Sequence, residues 1–392
     1  MNTSEAFRGL ACTGCGERYD ADEPGRCPAC EAPLDPVYDY DAVASTPEAL
    51  SDRPSGSMWR YAELLPFAPD HAVSASEGAT PVVDAPRLAD ELGVNAVLVK
   101  DEGRNPTGTV YDRGMALAVT AARDRGLEPL ALASPGNSGQ SAAAYAGRAG
   151  LRSYAFVPSR APFPNKAMVN VHGGEMRVVG GRYPAAEAAL HEDLKTDWHS
   201  LQEFTTPYRH EGAKTVAYEL ADQLDWSVPD AVVVPAGTGE VVVGLAKGFR
   251  ELRELGYVDE VAPIYAAQPD GCAPVVAALE NDAEAVEPWD TPDTICGELE
   301  IPDPAGGDLA LAAVRESGGA GVSVDDEDAL ASAVTAAQHE AVEMGASAGV
   351  AAAGAWDLRE AFDADDTVVL LNTEAGAKSA DLLRSHLMGQ GV

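Results

Sequence analysis

Short apolar runs alternate with longer amphipathic stretches over most of the chain, beginning at about residue 96. The runs are AVLVK, PLALAS, RSYAFVP, EMRVVG, AVVVPAG, PIYAAQP and TVVLLN. Each has the length of a buried strand, and intervening stretches such as SGQSAAAYAGRAG and VVGLAKGFRELREL have the spacing of a helix. Strands that alternate with helices predict an α/β fold with parallel sheets and right-handed crossovers.

The same pattern predicts how the chain is divided. A compact series of strands and helices over residues 113–203 predicts a small lobe, inserted into a large lobe made of residues 41–112 and 204–392. Residues 35–80 are rich in Pro, Ser, Asp and Gly, which is typical of a linker that wraps onto the body. We therefore expect two lobes and a separate N-terminal element.

Four cysteines near the start of the chain have the spacing of a metal site. Cys12 and Cys15 form one C-x2-C pair, and Cys27 and Cys30 form a second. Two such pairs on tight turns offer four thiolates in a tetrahedron, which Zn²⁺ prefers in structural sites. The region has few apolar side chains, so the metal would supply its stability, and residues 1–40 are predicted to form a zinc ribbon. A pair of redox-active dithiols is the alternative.

The chain is strongly acidic, with 63 acidic against 27 basic side chains and a formal net charge of −36 over 392 residues. Nucleic acid and anionic membranes are therefore poor partners, because both are bound by basic surfaces. The acid is dispersed and lysine is scarce, which favours a halophilic cytoplasm where salt screens the self-repulsion. An acidic protein of an ordinary cytosol is the alternative. No apolar run approaches a membrane span, and the polar start has no signal core, so we expect a cytoplasmic protein.

Four loops rich in glycine and polar residues follow predicted strands, where open α/β sheets bind their ligands. They are KDEGRNPTGTVYDRG (100–114), SPGNSGQS (134–141), PAGTGEVVVG (235–244) and LNTEAG (371–376). In the third, Gly237 and Gly239 allow close approach of the backbone, and free N–H groups at the start of a helix favour a phosphate. One such loop alone is more often a simple turn, so the interpretation rests on all four in this order.

Taken together, these motifs resemble those of threonine synthase over essentially the whole chain. Residues 100–114 are similar to the family's KDEGxNPTGSFKDRG, which carries the lysine that binds pyridoxal phosphate. PYRHEGAK (207–214) is similar to its NPYRxEGxK, and the zinc ribbon resembles one found in many archaeal and bacterial members. The resemblance implies the fold type II architecture of pyridoxal-phosphate enzymes. This architecture has two parallel-sheet α/β lobes of three layers (αβα), here with an added N-terminal zinc ribbon.

The resemblance also implies which residues face the ligands. Asn137 matches the residue that bonds the 3-hydroxyl oxygen of the cofactor ring, and Thr373 matches the hydroxyl that faces the pyridine nitrogen. The phosphate-binding loop is matched by Gly237, Thr238 and Gly239. The residues implied on the substrate side are Ser134, Arg209 and Lys214. The family reaction converts O-phosphohomoserine and water into threonine and phosphate.

Three positions depart from the family pattern. Tyr111 stands at the lysine position, and a phenol has no nitrogen with which to form an imine with the cofactor's aldehyde. Glu240 brings a carboxylate into a loop that reads close to GNGGN in the family, and Thr206 replaces the Asn of NPYRxEGxK. Four other lysines are where the family also tends to carry lysine, and Lys195 and Lys378 lie outside the segments expected to face the aldehyde. The sequence therefore nominates no substitute amine.

These departures predict loss or strong impairment of threonine synthase turnover and a ligand-binding homologue that recognises an amino acid or a phosphate ester. Pyridoxal phosphate is implied by the resemblance, without covalent attachment. The alternative is a lyase that still works with a non-covalently held cofactor, in which Tyr111 would transfer protons. A third hypothesis is a partner subunit of an active paralogue. The family also suggests a homodimer.

Overall fold

The computed structural model describes residues 2–22, 25–54, 56–194 and 198–389. The strands are β1 (Phe7–Cys12), β2 (Arg18–Tyr19), β3 (Leu34–Tyr38), β4 (Val82–Asp84), β5 (Ala96–Asp101), β6 (Leu130–Ala133), β7 (Ser153–Pro158), β8 (Glu175–Val179), β9 (His199–Ser200), β10 (Ala231–Pro235), β11 (Ile264–Pro269), β12 (Gly321–Val324) and β13 (Thr367–Asn372). The α-helices are α1 (Pro47–Ser51), α2 (Pro86–Leu92), α3 (Tyr111–Asp124), α4 (Asn137–Ala149), α5 (Phe163–Val171), α6 (Tyr183–Asp193), α7 (Arg209–Ala213), α8 (Thr215–Gln223), α9 (Glu240–Glu254), α10 (Pro274–Glu280), α11 (Gly307–Ser317), α12 (Asp326–Glu340), α13 (Ala346–Asp357) and α14 (Ala380–Gly389). Short 3-10 helices are Tyr40–Ala42, Met58–Leu64, Pro69–His71, Glu102–Arg104, Arg359–Ala361 and Gly376–Lys378.

The larger sheet has six strands in the order β12-β11-β10-β13-β5-β4. All neighbours are parallel except β4, which pairs antiparallel with β5 at one edge. Successive side chains of a strand point to opposite faces of the sheet. Accordingly, Val233 packs in a core that contains α13, whereas Val232 and Val234 pack in a second core that contains α8, α9 and α11. Both faces are therefore covered by helices, which gives three layers.

The smaller sheet has four parallel strands in the order β8-β7-β6-β9. On one face, Leu130 and Leu132 share a core with residues of α3 and α4. On the other face, Ala131 and Phe156 share a core with residues of α6. The predicted α/β fold with two parallel-sheet lobes of three layers is thus confirmed, and the exact lobe boundaries stay a prediction. Among the described residues, no helix has both the length and the apolarity needed to cross a membrane.

The N-terminal residues form a small antiparallel sheet in the order β2-β1-β3. It packs against the core of the smaller lobe, because Leu10 and Leu34 belong to the same buried cluster as residues of α3. Strand β3 continues to Tyr38, so this element reaches into the segment predicted as a linker. The remainder of that segment is also ordered, and its short helices bury Trp59 and Tyr61. These aromatic side chains tie the segment to the body.

A buried charge network holds the loop that precedes α3. The Arg113 guanidinium pairs with Glu102 at 2.6 Å and with Glu219 of α8 at 2.7 Å, and Lys100 pairs with Glu219 at 2.7 Å. All four side chains are buried. Arg113 therefore holds this loop by ion pairing. Because every charge in this network has a partner, removing one would strand another in a low dielectric.

The neighbouring Asp112 is held differently. It accepts hydrogen bonds from the backbone N–H and the hydroxyl of Thr107, both at 2.6 Å, and from the Ser141 hydroxyl at 2.5 Å. Burial raises the pKa of the Asp112 carboxyl to about 6, and these hydrogen bonds oppose the rise. Asp112 therefore holds the loop through hydrogen bonds.

We expect the substitution Arg113→Met to lower the free energy of unfolding by about 3–5 kcal/mol, because it leaves the buried Glu102 without its cation and leaves Glu219 with Lys100 alone. The matched control is Arg250→Met, which breaks an exposed pair with Glu316. It should cost no more than ~1 kcal/mol. Chemical denaturation of both variants measures the difference, and equal losses would contradict this account of the network.

Candidate functional site

The predicted site residues converge where β10 and β13 end and where α4 and α9 begin. An inner cavity at this point is lined by Tyr111, Asn137, Thr373, Glu298, Ser347 and residues 237–242. The cavity has a volume of about 20 Å³, measured as the space that the centre of a water molecule can occupy. This is room for about one water. The sequence-predicted ring, phosphate and lysine positions are therefore neighbours in space.

The glycine loop has the form of an anion cradle. Strand β10 ends at Pro235, and α9 begins at Glu240 after Gly239, whose φ of 89° favours glycine. A side chain at Gly239 would also meet the carbonyl oxygen of Gly306 at 2.7 Å. Within the described part of the chain, the backbone N–H groups of residues 237–240 have no hydrogen-bond acceptor. Free N–H groups at a helix start favour negative charge.

A buried carboxylate already lies beside this cradle. Glu240 pairs with Arg209, at 2.6 Å between Oε2 and Nη2 and 3.2 Å between Oε1 and Nε. Arg209 also pairs with Glu203 at 3.0 Å, and it donates to the carbonyl oxygen of Leu201 at 3.0 Å. Burial raises the pKa of the Glu240 carboxyl, and the Arg209 charge opposes this rise. One cation thus faces two carboxyl groups, and the substrate-side arginine is fully engaged.

Tyr111 is the first residue of α3 and contributes its ring to the inner cavity. The Arg209 guanidinium carbon lies 5.6 Å from the ring centroid, within the range of a cation–π contact. Burial raises the pKa of the Tyr111 phenol well above its usual value, and the Glu240 charge adds to this effect. Tyr111 is therefore a neutral phenol that packs against the arginine.

The other end of the inner cavity is built around Asn137. Its side-chain amide donates to Glu374 at 2.5 Å, and its backbone N–H donates to Glu298 at 2.9 Å. Its side-chain oxygen accepts from Asn165 at 2.8 Å and from the amine of Lys378 at 2.7 Å. Burial, together with the nearby Glu374 charge, raises the pKa of the Glu298 carboxyl to about 8.

The position of Lys378 corrects the sequence-based interpretation. That interpretation placed Lys378 outside the segments expected to face the aldehyde, whereas its amine contacts Asn137. The chain folds back after β13, so the 3-10 helix Gly376–Lys378 brings this amine to Asn137. Sequence reasoning also missed Glu298 and Glu374. The fourth glycine loop could have signalled Glu374 and Lys378, because both follow Thr373 closely, whereas Glu298 lies in no recognised motif. Lys195 lies outside the described residues.

Two predicted substrate-side residues do not line the inner cavity. The Ser134 hydroxyl accepts from the N–H groups of Gly136 at 3.0 Å and Gly139 at 2.8 Å, so it fixes the turn into α4. Lys214 pairs with Glu211 and with Glu251, in a separate buried charge cluster. Their positions on the chain resemble the family motifs, but their side chains support the scaffold.

A second, larger space adjoins the inner cavity at Glu298 and Ser347. This outer cleft has a volume of about 420 Å³, which is within the range of small-molecule sites (~300–1,000 Å³). Its wall includes Arg160, Phe163, Arg182, Glu298, Glu374 and Lys378. Lys378 therefore forms part of the wall of the outer cleft, and its amine is directed at Asn137.

The implied cofactor does not fit the inner cavity in this arrangement. The N–H groups of the glycine loop, Asn137 and Thr373 are assembled as the resemblance implies. However, the space between them admits about one water, and a pyridine ring with a phosphate group is many times larger. The buried carboxyl group of Glu240 also lines this space, and its charge would repel a phosphate dianion. We therefore derive no chemical step through pyridoxal phosphate here.

The four N-terminal cysteines come together as a possible metal site. Their sulfur atoms all lie within 4.8 Å of one another. Cys12 Sγ lies 3.4 Å from Cys30 Sγ, and Cys15 Sγ lies 3.7 Å from Cys27 Sγ. These distances bring one thiol from each turn beside one from the other, which is the arrangement of a four-thiolate metal site.

We expect Glu298→Gln to make the protein more stable at alkaline pH. The folded-state pKa of about 8 lies above the ordinary value of 4.5, so folding retains a proton on Glu298. The wild-type protein should therefore lose stability as the pH rises from about 4.5 through 8. Gln keeps an acceptor for the Asn137 N–H, and the variant should gain more than ~1.4 kcal/mol, the equivalent of one pKa unit. Thermal unfolding across this pH range measures the difference.

The control for that experiment is Glu287→Gln, since Glu287 is exposed. Its stability difference from wild type should stay flat across the same pH range. A flat difference for Glu298→Gln as well would contradict the retained proton.

Comparisons with known proteins place the chain among its relatives. Residues 73–374 match the family described as pyridoxal-phosphate dependent enzyme. The threonine synthase of Methanosarcina acetivorans is 35% identical over 371 residues, which cover 93% of this chain and 90% of that protein. The threonine synthase of Methanocaldococcus jannaschii is 34% identical over 376 residues, which cover 94% of this chain and 93% of that protein.

Solved structures share the fold at lower identity. An L-serine ammonia-lyase from the fungus Rhizomucor miehei has a TM-score of 0.69 at 22% identity, over 79% of this chain and 98% of that one. Diaminopropionate ammonia lyase from Escherichia coli has a TM-score of 0.70 at 18% identity, over 87% of this chain and 93% of that one. The family match and the two synthases confirm the predicted resemblance. This chain belongs to the pyridoxal-phosphate-dependent enzyme family as a threonine synthase-like member.

Proposed function

We propose that this chain is a ligand-binding homologue of threonine synthase in which conversion of O-phosphohomoserine to threonine is lost or strongly impaired. The observation that carries the proposal is the buried ion pair between Arg209 and Glu240. An arginine on the substrate side of a phosphate-ester enzyme must be free to receive a phosphate. Here its charge is already matched by two carboxyl groups, Glu240 and Glu203, and a phosphate dianion would have to displace them.

The residue at the cofactor-binding position supports the same proposal. Tyr111 removes the imine anchor and the proton-transferring amine together, and its ring occupies space beside the glycine loop. The outer cleft that adjoins the inner cavity has the size of a small-molecule site. We therefore place the ligand there, and we propose a small molecule of amino-acid metabolism without a phosphate group.

The test is phosphate release from O-phosphohomoserine in the presence of added pyridoxal phosphate. We expect wild type to be at least ~100-fold slower than the double variant Tyr111→Lys/Glu240→Gly, which restores the amine and removes the carboxylate. Tyr111→Lys alone should stay slow, because Glu240 still holds Arg209. Tyr111→Phe is the matched control, and it should be as slow as wild type. Rapid release by the wild-type protein would refute the proposal and favour the alternative of an active lyase.

We further propose that the four-cysteine cluster holds a structural Zn²⁺. The sulfur positions and the scarcity of apolar side chains in this element support it. Metal analysis of the purified protein should give about one zinc ion per chain. The variant Cys12→Ser/Cys27→Ser should lose the metal, whereas Cys272→Ser/Cys296→Ser, at two other buried thiols, should retain it. Metal-free protein with two disulfides would favour the redox alternative.

We propose the cellular environment of the protein from its composition and its oligomeric state from its family. The dispersed negative charge supports a cytoplasm rich in salt, where screening makes a net charge of −36 tolerable. The family supports a homodimer, in which the same surface of each subunit would meet across a two-fold axis. The proposed ligand remains a small molecule in either case.

A further inference from the structure

The lysines of this chain differ in what their amines contact. Lys100, Lys214 and Lys247 are buried, and each forms an ion pair with a carboxylate at 2.7 Å or less. Lys166 lies on the wall of the outer cleft, where its amine donates to the carbonyl oxygen of Ser159. Ion-paired ammonium groups are stabilised in the charged form and are poor nucleophiles. Three of these lysines are therefore engaged by carboxylates, and Lys166 is engaged by a backbone carbonyl oxygen.

Lys378 has different surroundings. Its amine donates to the side-chain oxygen of Asn137 at 2.7 Å, and among the described residues no carboxylate oxygen lies within 4.0 Å of it. Its side chain passes over Gly108, where an added Cβ would lie 3.3 Å from the Lys378 Cε. Asn137 is itself fixed by Glu374 and Asn165. The amine is thus held in place by a neutral partner, at the junction of the inner cavity and the outer cleft.

Burial lowers the pKa of the Lys378 amine, and the Glu374 and Glu298 charges oppose this effect. A lower pKa increases the neutral fraction of an amine at a given pH, and the neutral amine is the nucleophile. Glu298 also lines the outer cleft, and its Oε2 is buried with no hydrogen-bond partner. A carboxyl group with a pKa of about 8 is mostly protonated at neutral pH, so this oxygen can carry a proton.

We propose that Lys378 is a nucleophilic amine that captures a small uncharged aldehyde or ketone in the outer cleft as an imine. This inference deepens the proposed function and rests on it, because it names the ligand class of the binding homologue. The wall near Lys378 carries the carboxyl groups of Glu298 and Glu374, so a carbonyl compound without a negative charge is favoured. A neutral carbonyl compound also needs no phosphate cradle.

The chemistry uses only groups that line the cleft. The amine nitrogen adds to the carbonyl carbon, and one proton moves from the nitrogen to the carbonyl oxygen to give a neutral carbinolamine. The carboxyl group of Glu298 donates a proton to the departing hydroxyl, and its carboxylate recovers the proton that the nitrogen loses. Overall, the carbon–oxygen double bond and two N–H bonds are replaced by one carbon–nitrogen double bond and the two O–H bonds of the water that leaves. No oxidant or reductant is needed.

The test is reductive trapping with propanal and cyanoborohydride at limiting propanal, followed by mass mapping of the peptides. The N-propyl adduct should form several-fold faster at Lys378 than at Lys166, because the Lys378 amine is held by a neutral partner beside the carboxyl group of Glu298. The variant Lys378→Arg should lose this adduct, and Lys166→Arg should keep it. Glu298→Gln should slow trapping at Lys378, because the proton donor is absent.

Thermal unfolding shows whether each variant is folded, and Lys378→Met gives a second variant without an amine. Equal labelling of Lys378 and Lys166, or no adduct at Lys378 in the folded wild-type protein, would overturn the inference. This readout is independent of phosphate release from O-phosphohomoserine. Rapid phosphate release together with trapping at Lys378 would refute the proposed function and leave the role of the Lys378 amine intact. Slow phosphate release without trapping at Lys378 would refute the role of the amine and leave the proposed function intact.

Discussion

The ion pair between Arg209 and Glu240 is the constraint on which the rest of the site depends. Both side chains are buried, and the Glu240 carboxylate depends on Arg209 to balance its charge. The pair fixes the guanidinium under the ring of Tyr111 and turns the Glu240 carboxylate away from water. A phosphate bound at the glycine loop would meet that carboxylate at close range, and a lysine at position 111 would lie against the guanidinium. Tyr111 and Glu240, two of the departures from the family pattern, are thus compatible with each other because both contact Arg209. Restoring the family residue at one of these positions would leave the residue at the other position in place.

The scaffold tolerates these departures because it is stabilised elsewhere. The loop that carries position 111 is held by Arg113, Glu102 and Glu219, and none of these contacts involves the side chain at 111. The helices around it approach closely at glycines: a side chain at Gly212 would meet the Arg113 carbonyl oxygen at 2.3 Å. Such packing fixes the course of the backbone, but it places little restriction on which side chains face the cavity. A family fold can therefore persist while the chemistry at its centre changes.

Much of this architecture was predictable from local pattern. The strand-like run AVVVPAG places Val232 and Val234 on one face and Val233 on the other, and the glycine loop that follows predicts the cradle at α9. The contacts that decide the site were not predictable in the same way. Glu298 and Lys378 reach Asn137 across 161 and 241 residues of sequence, and their meeting depends on how the two lobes pack. The orientation of Glu240, towards Arg209, likewise follows from tertiary packing and leaves no trace in the loop sequence.

The charge balance around the inner cavity explains why the amine of Lys378 can still react with a ligand. The walls around the inner cavity carry carboxyl groups from Glu203, Glu240, Glu298 and Glu374, against the guanidinium of Arg209 and the amine of Lys378. Such an excess of acid can be buried only if some carboxyl groups keep their protons, which agrees with the raised pKa of Glu298. An anionic ligand would worsen the imbalance. Capture of an uncharged carbonyl compound by a neutral amine leaves the net charge unchanged. Of the reactions open to a lysine, this is the one that the surrounding electrostatics opposes least.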